Sequence, residues 1–265
     1  MMAAKAGADS VVGVELSNHM CSVADAAIAV NQLLGRCSIL QGDARRMFAA
    51  DSDSVRDGRK PDGSTVEMDR RADVCVFEVF DSGLIGEGAL HLAAVAEQRL
   101  LLPSATVIPA SARMFCQPIQ FRVSETAGVN VRRLNRFNWR PDYEGVELAR
   151  IREQWTPLAA PGEMFAFSFY DSSMSVPRTV QIPLVVEAEG MVNAIAVWFE
   201  LSLDPEEMLS TSPYQTGKGP TWQQAVMFVE EIVVSPGDRL VLEASHDTYS
   251  VSCRVRSARQ NASCA

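Results

Sequence analysis

The sequence predicts two fold classes in succession: an α/β portion built on a parallel sheet over residues 1–103, and an all-β barrel or sandwich over residues 104–265. Three observations predict it. Apolar runs of strand length alternate with helix-forming stretches through the first portion. From Ala105 onward, runs rich in Val, Ile, Phe and Thr follow one another with only turn signals between them. No apolar run has the roughly 20 residues a membrane-crossing helix needs.

In chain order, Ala3–Ala6 reads as the tail of a helix capped by Gly7, and Val11–Leu16 as a short buried strand. Ser22–Leu34 is rich in helix formers and precedes Gly35, a C-cap candidate. Cys37–Gln41 and Asp73–Phe80 read as further strands, and Gly88–Leu102 as a helix that stops before Pro103. The polar stretch Ala50–Arg71 carries Asp57-Gly58 and Asp62-Gly63 and reads as an exposed loop. In the second portion, strands are expected at Thr106–Ile108, Phe115–Val123, Met164–Tyr170, Thr179–Glu187, Val192–Leu203, Gln224–Val234, Arg239–Ala244 and Tyr249–Val255. Asn130–Pro161 breaks that rhythm. It contains an amphipathic helical candidate, Tyr143–Trp155, and reads as an arm of about 130–161 inserted in the barrel, because Phe137, Trp139, Val146, Leu148 and Ile151 have no evident place among its strands.

Composition excludes several function classes. Formal net charge is −9, without the basic patch of a nucleic-acid binder, and an acidic surface suits a basic protein substrate. The six cysteines form no Cys-x-x-Cys pair and there are three histidines, so no zinc site is expected. The cysteines read as apolar fillers in a reducing compartment. The start, Met1-Met2-Ala3-Ala4-Lys5-Ala6, lacks the apolar core of a signal peptide. The sequon at Asn261 is expected to be fortuitous.

Two places carry candidate chemistry. Glu15 lies at the end of the Val11–Leu16 run, read as the second strand of such a sheet, where an acid can accept hydrogen bonds from both ribose hydroxyls of a nucleotide-like cofactor; an exposed acid opening a loop reads the same way. Such an acid follows the fold's glycine-rich turn by about 20 residues, whereas fourteen residues precede Glu15. That turn is therefore expected before Met1; Gly217-Lys218-Gly219 lacks the spacing of a phosphate loop. The second place is Phe77-Glu78-Val79-Phe80-Asp81-Ser82-Gly83-Leu84-Ile85-Gly86-Glu87-Gly88-Ala89-Leu90. Two carboxylates facing one pocket repel unless a cation lies between them. A guanidinium is planar, offers five donors and stays protonated, so Glu78 and Glu87 could clamp one. An acidic surface loop made flexible by glycines satisfies the same spacing. His246-Asp247 reads as a strand-end turn.

The segment Glu78–Leu90 resembles the double-glutamate loop of protein arginine N-methyltransferases, and Phe80-Asp81 followed by Gly-Glu-Gly resembles the monomethylating, type III branch and, less closely, one symmetric-dimethylating branch. Val12-Gly13-Val14-Glu15-Leu16-Ser17 resembles the family's ribose-binding strand end, and Gly42-Asp43-Ala44 the turn whose backbone meets adenine. Leu209–Pro213 and Pro220–Val226 resemble the barrel region with the family's Thr-His-Trp loop; Thr221 stands at the histidine and Arg45 where many relatives have glutamate. The resemblance covers nearly the whole chain. It implies a Rossmann-like sheet, a β-barrel and an inserted dimerisation arm, with S-adenosylmethionine as cofactor. Glu78 and Glu87 would be catalytic, Glu15, Gly42, Asp43 and Ala44 would bind the cofactor, and Trp222 would line the arginine's path. Partners would be arginine-containing proteins and a second copy or second tandem module, in cytoplasm or nucleus.

The alternative function is a shortened, non-catalytic chain acting as a protein-interaction module, since the glycine-rich turn is absent from the fourteen residues before Glu15. The sequence as it stands is expected to bind S-adenosylmethionine weakly or not at all. A methyltransferase acting on small molecules fits the glutamate loop less well.

Overall fold

The computed structural model describes residues 1–137, 142–215 and 222–257. They divide into two compact units, residues 1–75 with 92–106, and residues 76–91 with 107–265. The loop carrying Glu78 and Glu87 thus belongs with the β-rich unit, although it lies between α/β elements in sequence.

In the first unit, helix α1 (Met2–Lys5) runs to Gly7, whose φ of +115° suits a residue without Cβ. Strands β1 (Val11–Glu15) and β2 (Cys37–Gln41) pair in parallel, Val11 opposite Cys37 and Glu15 opposite Gln41. Parallel neighbours require a crossover, here helix α2 (Asn18–Val30). Ser17 caps it by accepting the Met20 N–H at 3.4 Å. The helix stops at Val30 with Asn31 as C-cap, four residues short of the expected Leu34; Gly35, at φ +85°, makes the turn into β2 instead. A second strand–helix–strand unit follows: β3 (Ala72–Val76), α3 (Ala89–Arg99) and β4 (Leu101–Ile108). Bonds from Ala72 N–H to Leu100 O (2.8 Å) and from Phe77 N–H to Ile108 O (3.1 Å) give β3 and β4 the same direction. Leu101 and Leu102 are therefore strand, which ends the helix at Arg99.

Ala4, Ile28, Leu33 and Cys37 form the core beneath β1 and β2, with Val11 and Ile39 against them. Among the described residues, β1–β2 and β3–β4 are separate two-stranded sheets. Two strands are too narrow to bury both faces, so Val12, Val74 and Val76 are exposed where buried strands were expected. The stretch 50–71 is not wholly exposed either. Ser52 and Val55 are buried, and Glu67 accepts the Phe48 N–H at 3.1 Å, which ties the loop down at both ends.

The second unit is antiparallel. Its strands are β5 (Ser111–Phe121), β6 (Glu125–Thr126), β7 (Val129–Asn130), β8 (Glu144–Val146), β9 (Trp155–Pro157), β10 (Gly162–Ser168), β11 (Arg178–Val185), β12 (Gly190–Ser202), β13 (Met208–Ser210), β14 (Gln224–Val234), β15 (Arg239–His246) and β16 (Val251–Ser257). One sheet has the order β10-β5-β12-β14-β8, with β13 on β12 and β9 on β5; another has the order β11-β15-β16. Between the two neighbours β5 and β14, β12 is buried from Val192 to Phe199. Among the described residues no continuous ladder joins the two sheets, so the expected barrel is built as two antiparallel sheets and not as a hydrogen-bonded ring.

The inserted arm differs from expectation. Tyr143–Trp155 is no α-helix: Glu144–Val146 is strand, and Leu148–Gln154 is 3₁₀ helix interrupted at Ile151. Strand β8 pairs with β14, and β9 pairs with β5. Leu148 and Trp155 lie in the core with Phe121, Trp198 and Val226, and Val146 and Ile151 pack against it. Buried Gln224 supports the turn by accepting the Leu148 N–H at 2.9 Å, and the Trp155 indole donates to Leu148 O at 2.9 Å. The outlying part of the insertion is the β6–β7 hairpin and the 3₁₀ turn Arg132–Phe137, where Val129 and Leu134 are exposed. Trp139 lies outside the described residues.

Candidate functional site

In the first unit, the ends of the two parallel strands bring Glu15 beside Gly42-Asp43-Ala44. The Glu15 carbonyl accepts the Gly42 N–H at 2.9 Å, and one Glu15 carboxylate oxygen accepts the Ser17 N–H at 2.6 Å. Gly42 has φ +152°, and a Cβ there would stand 3.0 Å from the Met47 methyl. Asp43 opens the short 3₁₀ turn Ala44–Arg46, and its carboxylate takes the Arg45 Nε and Nη2 at 2.8 Å each. The Arg45 hydrogen bond holds Asp43 below the usual carboxylate range. The carboxyl ends of parallel strands are where such sheets bind ligands. Here they offer an acid beside a tight turn whose Gly42 N–H is bonded to Glu15 and whose Asp43 side chain is engaged by Arg45.

The glutamate loop is built in the second unit around aromatic rings and glycines. Phe80 is buried against Phe77, Phe169, Phe199 and Trp222, with centroid separations of 5.4, 5.9, 6.4 and 6.3 Å. The Trp222 indole donates to the Phe80 carbonyl at 2.8 Å. Leu84 and Ile85 are fully buried, and a bond from Leu84 N–H to Asp81 O closes the turn at 2.9 Å. Asp81 accepts the Gly86 N–H at 2.9 Å through one oxygen and the Tyr143 hydroxyl through the other. Burial and the Asp81 carboxylate push the Tyr143 phenol well above its usual range.

The glycines mark close approach. A Cβ on Gly83 would strike the Tyr143 ring, one on Gly86 would strike Asp81, and one on Gly88 (φ +88°) would stand 2.9 Å from Tyr249 Cε1. Glu87 is therefore held between two glycines, each backed by a tyrosine from a distant segment. Glu78 and Glu87 are both exposed, not facing a closed pocket as the spacing suggested, and neither has a hydrogen-bond or ion-pair partner among the described residues.

Of the residues singled out from sequence, the structure brings Glu15 together with Gly42–Ala44, and Glu78 and Glu87 onto one loop in contact with Trp222. Thr221 and Gly217-Lys218-Gly219 lie outside the described residues. Sequence reasoning missed Tyr143 and Tyr249; the only signal for them was the triplet of glycines, which demands neighbours but does not name them. His246 is buried edge-on to Phe165 (4.8 Å) and Phe167 (5.4 Å), and Asp247 accepts the Tyr249 and Ser250 N–H groups at 2.9 and 2.7 Å. That is the expected strand-end turn. Among the described residues no cluster of His, Cys, Asp and Glu is arranged to hold a metal ion.

No family model matches the chain. It is similar to protein arginine N-methyltransferase 9 of Mus musculus, 30% identical over 292 residues that include 94% of this chain and 32% of that protein. It is also similar to protein arginine N-methyltransferase 7 of Aedes aegypti, 28% identical with 94% of this chain and 41% of that protein covered. The chain thus spans about a third to two-fifths of the length of these curated relatives. Among solved structures, the Trypanosoma brucei PRMT1 enzyme-prozyme heterotetrameric complex with AdoHcy superposes with a TM-score of 0.71, covering 97% of this chain and 79% of that one at 19% identity, a likeness of fold. With a Glu-bearing strand end, a glycine-pinned glutamate loop and a β-rich unit, the chain is similar over nearly its whole length to protein arginine N-methyltransferases in sequence, and to one of them in fold.

Proposed function

We propose that the protein transfers a methyl group from S-adenosylmethionine to the guanidinium of arginine in protein substrates, and that the product is monomethylarginine. The observation that carries the reading is the loop in which Glu87 is fixed between Gly86 and Gly88 while Glu78 and Glu87 keep both carboxylates free of partners among the described residues. Unpartnered carboxylates on a braced loop are ready to accept charge-assisted hydrogen bonds from one guanidinium. Binding it between them orients one terminal nitrogen and offsets repulsion between two cations.

The first unit's residues fit the cofactor. Glu15 retains an oxygen that no described group occupies, suited to ribose hydroxyls, and it stands beside the Gly42–Ala44 turn, which the resemblance gives to the adenine. S-adenosylmethionine supplies an electrophilic methyl on a sulfonium. Glu78 and Glu87 align the accepting nitrogen, and Trp222 lines the arginine's path. The type III likeness of Phe80-Asp81 supports monomethylation, and exposed Leu134 on the insertion, with exposed Val129 just before it, supports association with a second copy or module. The acidic surface suits basic protein segments; cytoplasm or nucleus is the proposed location.

The test is methyl transfer to a glycine-arginine peptide with labelled S-adenosylmethionine. Monomethylarginine is expected. Glu78→Gln and Glu87→Gln should each lower the rate by about two orders of magnitude or more at unchanged thermal stability. Parent-like turnover in both variants overturns the clamp, and a dimethylated product overturns the product assignment.

A further inference from the structure

Two glycines flank Glu87, and they are braced differently. Gly88 rests under the ring carbons of Tyr249, a contact of shape alone. Gly86 is held by a directed chain: its N–H donates to one oxygen of Asp81 at 2.9 Å, and the other oxygen accepts the hydroxyl of Tyr143. Tyr143 is 62 residues from Asp81, next to β8 in the inserted segment. Its ring also occupies the space above Gly83 that any Cβ would fill. A carboxylate gripped on both oxygens cannot rotate, so the amide of Gly86, and with it the direction in which the chain sends the Glu87 side chain, depends on a hydroxyl supplied from the insertion.

We infer that Tyr143 is a positioning residue for Glu87, acting through Asp81 and Gly86 to hold the glutamate where it can share a guanidinium with Glu78. The inference rests on the clamp reading and adds to it a residue that does not touch the substrate. It also couples the inserted segment to the site: a displacement of the chain at Asp142–Glu144 releases Asp81, and a released Asp81 leaves Gly86 free to turn.

The experiment is calorimetric titration of the chain with the peptide Gly-Gly-Arg-Gly-Gly, using the parent, Glu78→Gln, Glu87→Gln, Tyr143→Phe, Asp81→Asn and the doubles Tyr143→Phe/Glu87→Gln and Asp81→Asn/Glu87→Gln. Tyr143→Phe and Asp81→Asn should each weaken binding about tenfold. Each double should bind no more weakly than Glu87→Gln alone, because a residue that acts only through Glu87 has nothing left to position. A merely structural role predicts additive losses instead. Additive doubles, or Tyr143→Phe and Asp81→Asn binding as tightly as the parent while Glu87→Gln is weakened, overturn the positioning role and leave the clamp standing. Parent-like binding by both glutamate variants, or no binding by the parent, overturns the clamp reading and this inference with it. Hydrogen exchange at the Gly86 amide gives an independent measure. It should speed up in Tyr143→Phe, and unchanged exchange there overturns the proposed chain of bonds.

Discussion

Trp222 and Phe80, 142 residues apart, are joined by a 2.8 Å hydrogen bond from indole N–H to main-chain carbonyl, and their rings meet edge to face. The aromatic side chain proposed to line the arginine's path is thus also a support of the glutamate loop. Trp222→Phe keeps an aromatic ring but leaves the Phe80 carbonyl without its donor. A loss of about 1–3 kcal/mol is expected in urea denaturation, together with weaker binding of arginine peptides. Unchanged stability would show that the carbonyl finds water readily and that the bond supports nothing.

Gly86→Ala should be disruptive out of proportion to one methyl. The new Cβ would meet the Asp81 carboxylate and stand 2.8 Å from the Tyr143 hydroxyl oxygen. Overpacking of this sort typically costs about 1–3 kcal/mol. Thermal unfolding should register that loss, and a variant as stable as the parent would mean that the loop is not packed as described.

The inserted segment yields a contrast between two leucines. Leu148 is fully buried in the core cluster, whereas Leu134 is exposed. Leu148→Ala is expected to cost about 2–5 kcal/mol and Leu134→Ala no more than about 0.5 kcal/mol. If the hairpin end mediates association, Val129→Asp with Leu134→Asp should give a monomer by sedimentation at parent stability; retention of the parent's oligomeric state would move the interface elsewhere.

His246 makes stability depend on pH. Burial first, and the nearby Arg178 guanidinium second, lower its pKa from the usual 6.5, with Asp247 opposing. The folded state therefore binds the proton less readily than the unfolded state, and ∂ΔG/∂pH is positive between the two values. The stabilising contribution is complete above pH 6.5 and declines as pH falls from there through the lower folded value. Denaturant midpoints at pH 7.5 and 5.5 should differ in that direction, and His246→Phe should flatten the difference. A midpoint insensitive to pH would contradict the burial of the ring.

Much of this was legible in the sequence, for physical reasons that differ by element. Thr179–Glu187, Val192–Leu203 and Gln224–Val234 could be read as strands because β-branched runs between turn residues leave few alternatives, and they lie close to β11, β12 and β14. Glu15 and Gly42 could be placed together because parallel strands align their carboxyl ends. Tyr143–Trp155 misled because Leu148, Ile151 and Trp155 recur at helical spacing; a 3₁₀ turn satisfies that spacing too, and the deciding partners, Gln224 and β14, are some 76 residues away. The tyrosines behind Gly83, Gly86 and Gly88 were illegible for the same reason: glycine announces a close neighbour, and only the folded chain says which.

The anchoring of the insertion at both ends has a consequence for how such a chain can change over time. Strand β9 is stitched to β5, and β8 to β14, so the span from Val123 to Tyr143 leaves and rejoins a fixed frame. For a segment with pinned ends, doubling the length adds only about 0.6 kcal/mol of closure entropy. That span can lengthen, shorten or exchange its sequence at little cost to folding, provided that a tyrosine returns at its far end. The insertion is in this sense a socket: what is plugged into it is free to vary, and the pin nearest the glutamate loop is not.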